Sequence, residues 1–241
     1  MSKVQKEPAG FTKELDRFIS CCDAAIWGYC DLSGITGLPF PELRNGISMG
    51  INLNPEIVQS LKKGPGEDYI REYGEVNIRL SGLAGKVSEF IKEKGYNADF
   101  IPPTQKVDDP ERLYAEFPHK TAATLAGLGW IGKNAVLVTK KYGSAVRIIT
   151  VFTDAPLVAE KPVLKSYCGN CDNCREHCPA GAIFGVKWSQ GMPREKLLNI
   201  RRCFEYSRKM GYEAGPGHGV CGRCIAVCPW TEKYLKREGV L

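Results

Sequence analysis

The chain has 241 residues, of which 43% are hydrophobic and 25% charged, and its formal net charge is +6. This composition supports a folded core and excludes intrinsic disorder as the main state. No apolar run reaches the roughly 18–20 residues of a membrane span, and the polar N-terminus lacks a signal-peptide core. We therefore expect a cytoplasmic protein that does not enter a membrane.

The first 160 residues alternate helical and strand-like patterns, which predicts an α/β (α+β) domain. Apolar spacing predicts helices over residues 11–21 and 69–94, and an alanine-rich segment predicts a third over residues 120–128. Short apolar segments between turn signals predict five strands, over residues 24–29, 45–54, 98–101, 135–139 and 145–153. We place a domain boundary after residue 160, so that residues 1–160 form a cofactor-binding domain and residues 161–241 a cysteine-rich domain.

Eight of the eleven cysteines lie between Cys168 and Cys228, which in a reducing compartment indicates metal ligation rather than disulfides. The first motif is C-x2-C-x2-C-x3-C-P, the run that holds 4Fe–4S clusters in bacterial ferredoxins. The second reads C-x2-C-x3-C-P, and a cysteine eighteen positions upstream supplies its outlying ligand. Two zinc sites are the alternative, but zinc ribbons need neither the third cysteine nor the Cys-Pro pair. The spacing therefore favours two 4Fe–4S clusters.

The crossed ligation of two-cluster ferredoxins divides these cysteines into two sets. In that arrangement the last cysteine of each motif belongs to the cluster of the other motif. We accordingly assign one cluster to Cys168, Cys171, Cys174 and Cys228, and the other to Cys178, Cys203, Cys221 and Cys224.

The positive charge is concentrated in the cysteine-rich domain. Residues 161–241 contain 14 basic residues (Lys and Arg) and 7 acidic residues (Asp and Glu). Residues 1–160 contain 19 basic and 20 acidic residues. A polyanionic partner would explain this excess, but so would two clusters that each carry a charge of about −2. We therefore expect nucleic-acid affinity to be weak and steeply salt-dependent.

A glycine-rich segment, AGLGWIGKN over residues 126–134, contains the pattern G-x-G-x-x-G. A dinucleotide site would need a strand before the glycines and a helix after them, and here the predicted order is reversed. Two interpretations remain open: a helix C-cap that leads into a hairpin, or a turn that lets the backbone approach a large flat ligand. On the second interpretation the cofactor-binding residues are Gly127, Gly129, Trp130, Ile131, Gly132, Lys133 and Asn134.

The AGLGWIGKN segment, the following TDAPL at residues 153–157 and the two cysteine motifs together resemble epoxyqueuosine reductase and the related reductive dehalogenases. The resemblance covers about residues 112–231. It implies a nitroreductase-like α/β domain that binds cobalamin, joined to a ferredoxin-like domain with two 4Fe–4S clusters. It also implies reduction of an organic substrate, with electrons from a low-potential donor of the ferredoxin or flavodoxin type.

The sequence departs from this family at two points. Epoxyqueuosine reductases place a catalytic Asp upstream of the glycine motif, where this chain has EFPHK over residues 116–120. His119 is our candidate general acid, because an imidazole can donate a proton near neutral pH. The chain also stops eleven residues after Trp230, without the helical repeat module that helps full-length members hold tRNA. It thus resembles a short form whose substrate is a small molecule or a modified nucleoside.

Two further functions remain open. One is an electron-transfer or activating protein that reduces a cofactor on a partner. The other is an iron–sulfur reductase with flavin, in place of cobalamin, in the α/β domain.

Overall fold

A computed structural model describes residues 7–104, 113, 115–214 and 219–241; within helix α6 the side chains of residues 211–214 are not described. The helices are α1 (Pro8–Ser20), α2 (Pro55–Ser60), α3 (Glu67–Glu93), α4 (His119–Leu125), α5 (Asn173–Glu176), α6 (Ile200–Ala214), α7 (Arg223–Ala226) and α8 (Pro229–Arg237). The strands are β1 (Ile26–Asp31), β2 (Asn45–Asn52), β3 (Ala98–Phe100), β4 (Trp130–Ile131), β5 (Leu137–Val138) and β6 (Val146–Thr153). None of the helices in these ranges is long and apolar enough to cross a membrane.

The main sheet has four antiparallel strands in the order β1-β2-β6-β3. Its register places Met49 opposite Ile149 and Ile47 opposite Val151. These odd-numbered side chains enter the largest apolar core together with α1 and α3. Because neighbouring side chains of a strand point to opposite faces, Phe152 lies on the other face and packs with α4. The sheet is thus covered on both sides.

The mixed α/β fold that the sequence predicts is confirmed, and the predicted helices and strands are present with shifted ends. Helix α4 ends at Leu125 because Gly127 adopts a left-handed φ of 70° and its N–H bonds to the Thr124 carbonyl, a glycine C-cap. The strand predicted over residues 135–139 is shorter. It pairs with β4, inside the glycine segment, to form a separate two-stranded hairpin.

The cysteine-rich segment packs directly against the sheet domain. Tyr234 and Leu235 of α8, Ala226 of α7 and Val220 belong to the same apolar core as α1 and α3. The Tyr234 hydroxyl donates to the Leu53 carbonyl at 2.8 Å. The domain boundary after residue 160 stays a prediction, and the core crosses it.

Candidate functional site

The first cysteine set surrounds one cavity. Cys168, Cys171 and Cys174 lie on the loop before and at the start of α5, and Cys228 is the N-cap residue of α8. All four line a cavity of about 190 Å³. Pro229 begins α8. No helix follows the other Cys-Pro pair, Cys178-Pro179, among the described residues, and Gly181 there takes a left-handed φ of 55°.

The second cysteine set is also brought together, from distant parts of the chain. Cys203 lies on α6, while Cys221 and Cys224 flank the start of α7. Burial raises the pKa of Cys203, and the neighbouring Cys178 and Cys221 raise it further. Burial raises the pKa of Cys224 as well, with added contributions from Cys203 and Cys221. Cys178 and Cys221 are thus neighbours of Cys203, and the crossed assignment of the eight cysteines to two clusters stays a prediction.

The chemistry of these thiols suits iron–sulfur clusters. Burial, together with the nearby Cys168 and Cys228, raises the pKa of Cys174 to about 12. A thiol with such a raised pKa stays protonated at neutral pH unless a cationic centre offsets the charge of its thiolate, as iron does. No group of three or more described His, Cys, Asp or Glu side chains has the spacing of a single-ion site.

Trp130 lies against the first cysteine set. It is buried in one apolar group with Cys168 and Cys228, and its ring contacts Trp230 with centroids 5.1 Å apart. The indole N–H finds no acceptor among the described residues. The apolar group that contains Cys168 and Cys228 therefore also contains a buried donor without an acceptor among the described residues.

The polar end of the glycine segment contacts the cysteine loops. Lys133, with a side chain only 5% exposed, donates to Asp172 in the first motif at 2.7 Å. Asn134 donates to the Cys224 carbonyl at 3.3 Å. Both side chains also line the cavity of the first cysteine set. They hold the two cysteine loops in place, which differs from the expected role as polar anchors of a large cofactor.

The three glycines pack against the protein's own backbone and side chains. A Cβ added to Gly129 would lie 2.2 Å from the Val138 carbonyl oxygen, and one added to Gly127 would lie 3.0 Å from the Lys161 oxygen. A Cβ added to Gly132 would lie 2.5 Å from the side-chain oxygen of Asn134. These contacts favour the C-cap and hairpin interpretation of the segment, and the cofactor-binding role of its residues stays a prediction.

A second, larger cavity of about 710 Å³ lies between the sheet domain and the cysteine-rich segment. Helix α4, strand β6 and residues 188–197 line it, mostly with apolar side chains. Of the predicted cofactor-binding residues, Ile131 reaches this cavity and Trp130 does not. The cavity has the size and the lining of a ligand pocket. It is the larger of these two cavities.

His119 lines the larger cavity but is held by two hydrogen bonds. Its Nε2 lies 3.0 Å from the Pro102 carbonyl and its Nδ1 lies 3.1 Å from the Thr150 hydroxyl. Since the carbonyl can only accept, Nε2 carries the proton and Nδ1 accepts from Thr150. Burial lowers the pKa of His119, which keeps the ring neutral. These contacts suit a positioning role for His119 better than the predicted general-acid role.

Lys120, which the sequence analysis did not select, is the more suitable proton donor in this cavity. Burial lowers its pKa to about 8, and its Nζ donates to the Ala135 carbonyl at 2.8 Å. Arg147 and Arg194 also line the cavity. The sequence offered no signal for Lys120, because a lysine in an amphipathic helix ordinarily faces solvent.

His177 lines neither of these cavities. His177 is exposed, and its Nδ1 lies 2.9 Å from the Asn173 carbonyl. His218, which the sequence places in the second cysteine motif, lies outside the described residues.

Comparison with protein families shows a match to the 4Fe–4S double cluster binding domain over residues 167–231. The chain is 29% identical over 193 residues to a tetrachloroethene reductive dehalogenase of Sulfurospirillum multivorans, covering 78% of this chain and 36% of that protein. It is 35% identical over 186 residues to an epoxyqueuosine reductase of Pseudomonas aeruginosa, covering 73% of this chain and 45% of that protein. The chain therefore spans less than half the length of these relatives.

Solved structures show the same fold. A catabolic reductive dehalogenase superposes with a TM-score of 0.73 at 18% identity, over 96% of this chain and 34% of that chain. An epoxyqueuosine reductase superposes with a TM-score of 0.64 at 18% identity, over 94% of this chain and 67% of that one. The resemblance to both groups of reductases is thereby confirmed.

Proposed function

We propose that the chain is an iron–sulfur reductase in which two 4Fe–4S clusters pass electrons to a cobalamin-type cofactor in the larger cavity. The observation that carries the proposal is that the first cysteine set lines one cavity, while Cys224 of the second set lies beside the larger cavity. Ile225, next to Cys224, lines the cavity, and so does Tyr69, whose pKa is raised mainly by burial and also by Cys224. Electrons would therefore enter at the first set and leave from the second.

The residues of the chain would each contribute a defined part of this reaction. When bound, the clusters would carry single electrons and a corrinoid would supply a strongly reducing metal centre. The apolar cavity walls exclude water. Lys120 holds a proton at Nζ near neutral pH, and the hydrogen bond to Ala135 fixes its position. His119 links α4 to strand β6 through Thr150 and so orients the lysine beside it.

The names of two relatives suggest a class of substrate for this chain. One solved neighbour is an epoxyqueuosine reductase in complex with an epoxyqueuosine-modified stem loop of tRNA-Tyr. The curated dehalogenase relative acts, by its name, on tetrachloroethene. We propose that this chain reduces a small organic molecule or a modified nucleoside, with a low-potential ferredoxin or flavodoxin as the electron donor.

Metal analysis and a cofactor titration test the proposal. Protein purified without oxygen should contain about eight irons and eight sulfides, and cob(II)alamin should shift to its base-off spectrum on binding. Gln190→Trp, which places a bulky side chain at the cavity, should abolish this shift. Ser189→Trp, at an exposed neighbour that does not line the cavity, is the matched control.

Each alternative result of this test has a clear meaning. Stoichiometric zinc without sulfide would refute the clusters. Clusters without any corrinoid binding would favour an electron-transfer or activating protein. A bound flavin would instead favour a flavin-dependent reductase with a nitroreductase-like domain.

Single cysteine variants test the crossed ligation. Cys178→Ser should damage the cluster of the second set, although Cys178 lies in the first motif. Cys171→Ser should damage the other cluster, and Cys21→Ser, at an exposed position outside both sets, should damage neither. Electron paramagnetic resonance of the reduced protein distinguishes the two clusters. Loss of the first-set cluster in Cys178→Ser would contradict the assignment.

A further inference from the structure

Three large apolar side chains are exposed around the first cysteine motif. Tyr167, immediately before Cys168, is 54% exposed, and Phe184 and Val186 are 47% and 40% exposed. The Ser166 N–H donates to the Trp188 carbonyl at 2.9 Å, so the two segments that carry these side chains run side by side. Exposed apolar groups that cluster beside a functional site indicate a docking surface.

The loop between Phe184 and Val186 packs onto the first motif itself. A Cβ added to Gly185 would lie 3.0 Å from both the Asp172 carboxylate and the Arg175 side chain. Asp172 and Arg175 flank Cys174 in the sequence. A partner seated on this loop would therefore contact the loop that carries the first cysteine set.

Lysines border these apolar side chains. Lys165 and Lys187 are exposed and lie one or two positions from Tyr167 and Val186. Lys233, which lines the cavity of the first set, is exposed as well, with its Nζ 4.3 Å from the Trp230 ring centroid. The nearby carboxylate of Asp172 is engaged by the buried Lys133. An apolar centre with a basic rim is complementary to an acidic protein surface.

The apolar side chains are in contact with the residues around the first set. The Tyr167 ring meets the edge of Trp130 with centroids 5.3 Å apart. Trp130 in turn packs with Cys168 and Cys228. Two aromatic side chains, Tyr167 and Trp130, would therefore connect a redox centre docked here to the thiols.

We propose that the face formed by Tyr167, Phe184, Val186, Lys165 and Lys187, the entry face, docks an acidic one-electron carrier protein. This rests on the proposed function and adds the place where electrons enter. One electron leaves the reduced centre of the carrier and enters the oxidised cluster of the first set, and no bond or proton is transferred. The face is small, as is usual for transient redox complexes.

Anaerobic stopped-flow mixing with an acidic flavodoxin in its fully reduced state tests the proposal. Lys165→Glu/Lys187→Glu should slow cluster reduction at least tenfold at low ionic strength, because electrostatic steering is worth about 10–10³ in association rate. The wild-type rate should fall as salt is added, and the rate of this variant should not. Phe184→Ser/Val186→Ser should raise the flavodoxin concentration at half-saturation and keep the salt dependence.

Arg201→Glu/Arg202→Glu on α6 is the matched control. It makes the same change in charge at exposed residues next to Cys203 of the second set, and it should leave the flavodoxin rate unchanged. The final extent of reduction by dithionite should be equal in all variants, which shows that the clusters are intact.

Several outcomes would overturn the entry face. One is a slower reaction in the α6 variant but not in the Lys165→Glu/Lys187→Glu variant. Another is weaker binding of an RNA stem loop by the lysine variant at an unchanged reduction rate, which would make the face a nucleic-acid site. Wild-type protein without any dithionite-reducible cluster would instead refute the proposed function itself, as iron and sulfide analysis would show separately.

Discussion

Gly129 should be required for the stability of the β4–β5 hairpin, independently of any ligand. In Gly129→Ala the new methyl carbon would lie 2.2 Å from the Val138 carbonyl oxygen and 2.9 Å from its carbon. Both atoms belong to the backbone of β5, which pairs with β4, so relief requires the hairpin to open. Overpacking lowers the free energy of unfolding by about 1–3 kcal/mol, and we expect a clash with paired backbone to lie at the upper end of this range.

A loss of about 3 kcal/mol corresponds to a fall in Tm of about 6–12 °C for a chain of this size. Thermal unfolding of the anaerobic protein, followed by far-ultraviolet circular dichroism, measures the shift. Gly82→Ala is the matched control, because it lies within α3 and its Cβ would meet no atom within 4 Å. The free energy of unfolding of that variant should rise by about 0.4–1 kcal/mol.

A Tm of Gly129→Ala within about 2 °C of the wild type would refute this reasoning, since each kcal/mol is worth about 2–4 °C here. An unchanged Tm together with lost cobalamin binding would restore the ligand interpretation of the glycine segment.

Two other variants test contacts that join distant parts of the chain. Tyr234→Phe removes the hydroxyl that donates to Leu53 and accepts from Asn52. The free energy of unfolding, measured by urea denaturation, should fall by about 1–3 kcal/mol. An unchanged midpoint of the urea transition would contradict this prediction. His119→Gln should reduce the dependence of stability on pH between about pH 7 and 5. Burial lowers the pKa of His119, so in this window the unfolded chain binds the extra proton and wild-type stability falls as pH falls. Measurements of Tm as a function of pH for the wild type and His119→Gln test this prediction. Parallel curves for the two proteins would contradict the proposed contribution of His119.

Repetitive and local patterns could be predicted from the sequence. The 3-and-4 spacing of apolar residues in α3 and the short apolar segment of β6 depend on neighbours within a turn or two, so the chain order of these elements was clear. Cysteine spacing is equally local, since the short loops of the first motif keep Cys168, Cys171 and Cys174 together. The separation of Cys178 from its own motif followed from the ferredoxin resemblance, and the structure places it beside Cys203.

The roles of the glycine segment and of the polar residues near it could not be predicted from the sequence. Gly129 has the same neighbours in sequence whether it faces a ligand or its own partner strand, and only the β4–β5 pairing decides between them. Lys133 looked like a ligand anchor until the fold brought Asp172, 39 positions away, within 2.7 Å.

The sequence by itself determined the classes of element and the cluster-binding chemistry, because both depend on residues a few positions apart. Only the tertiary structure decided where the larger cavity lies, because its wall combines α4, β6 and residues 188–197. It also decided that Lys120 is half-buried there, which lowers its pKa to about 8. Burial depends on which surfaces meet, and that is set by packing between distant segments rather than by the local pattern of an amphipathic helix.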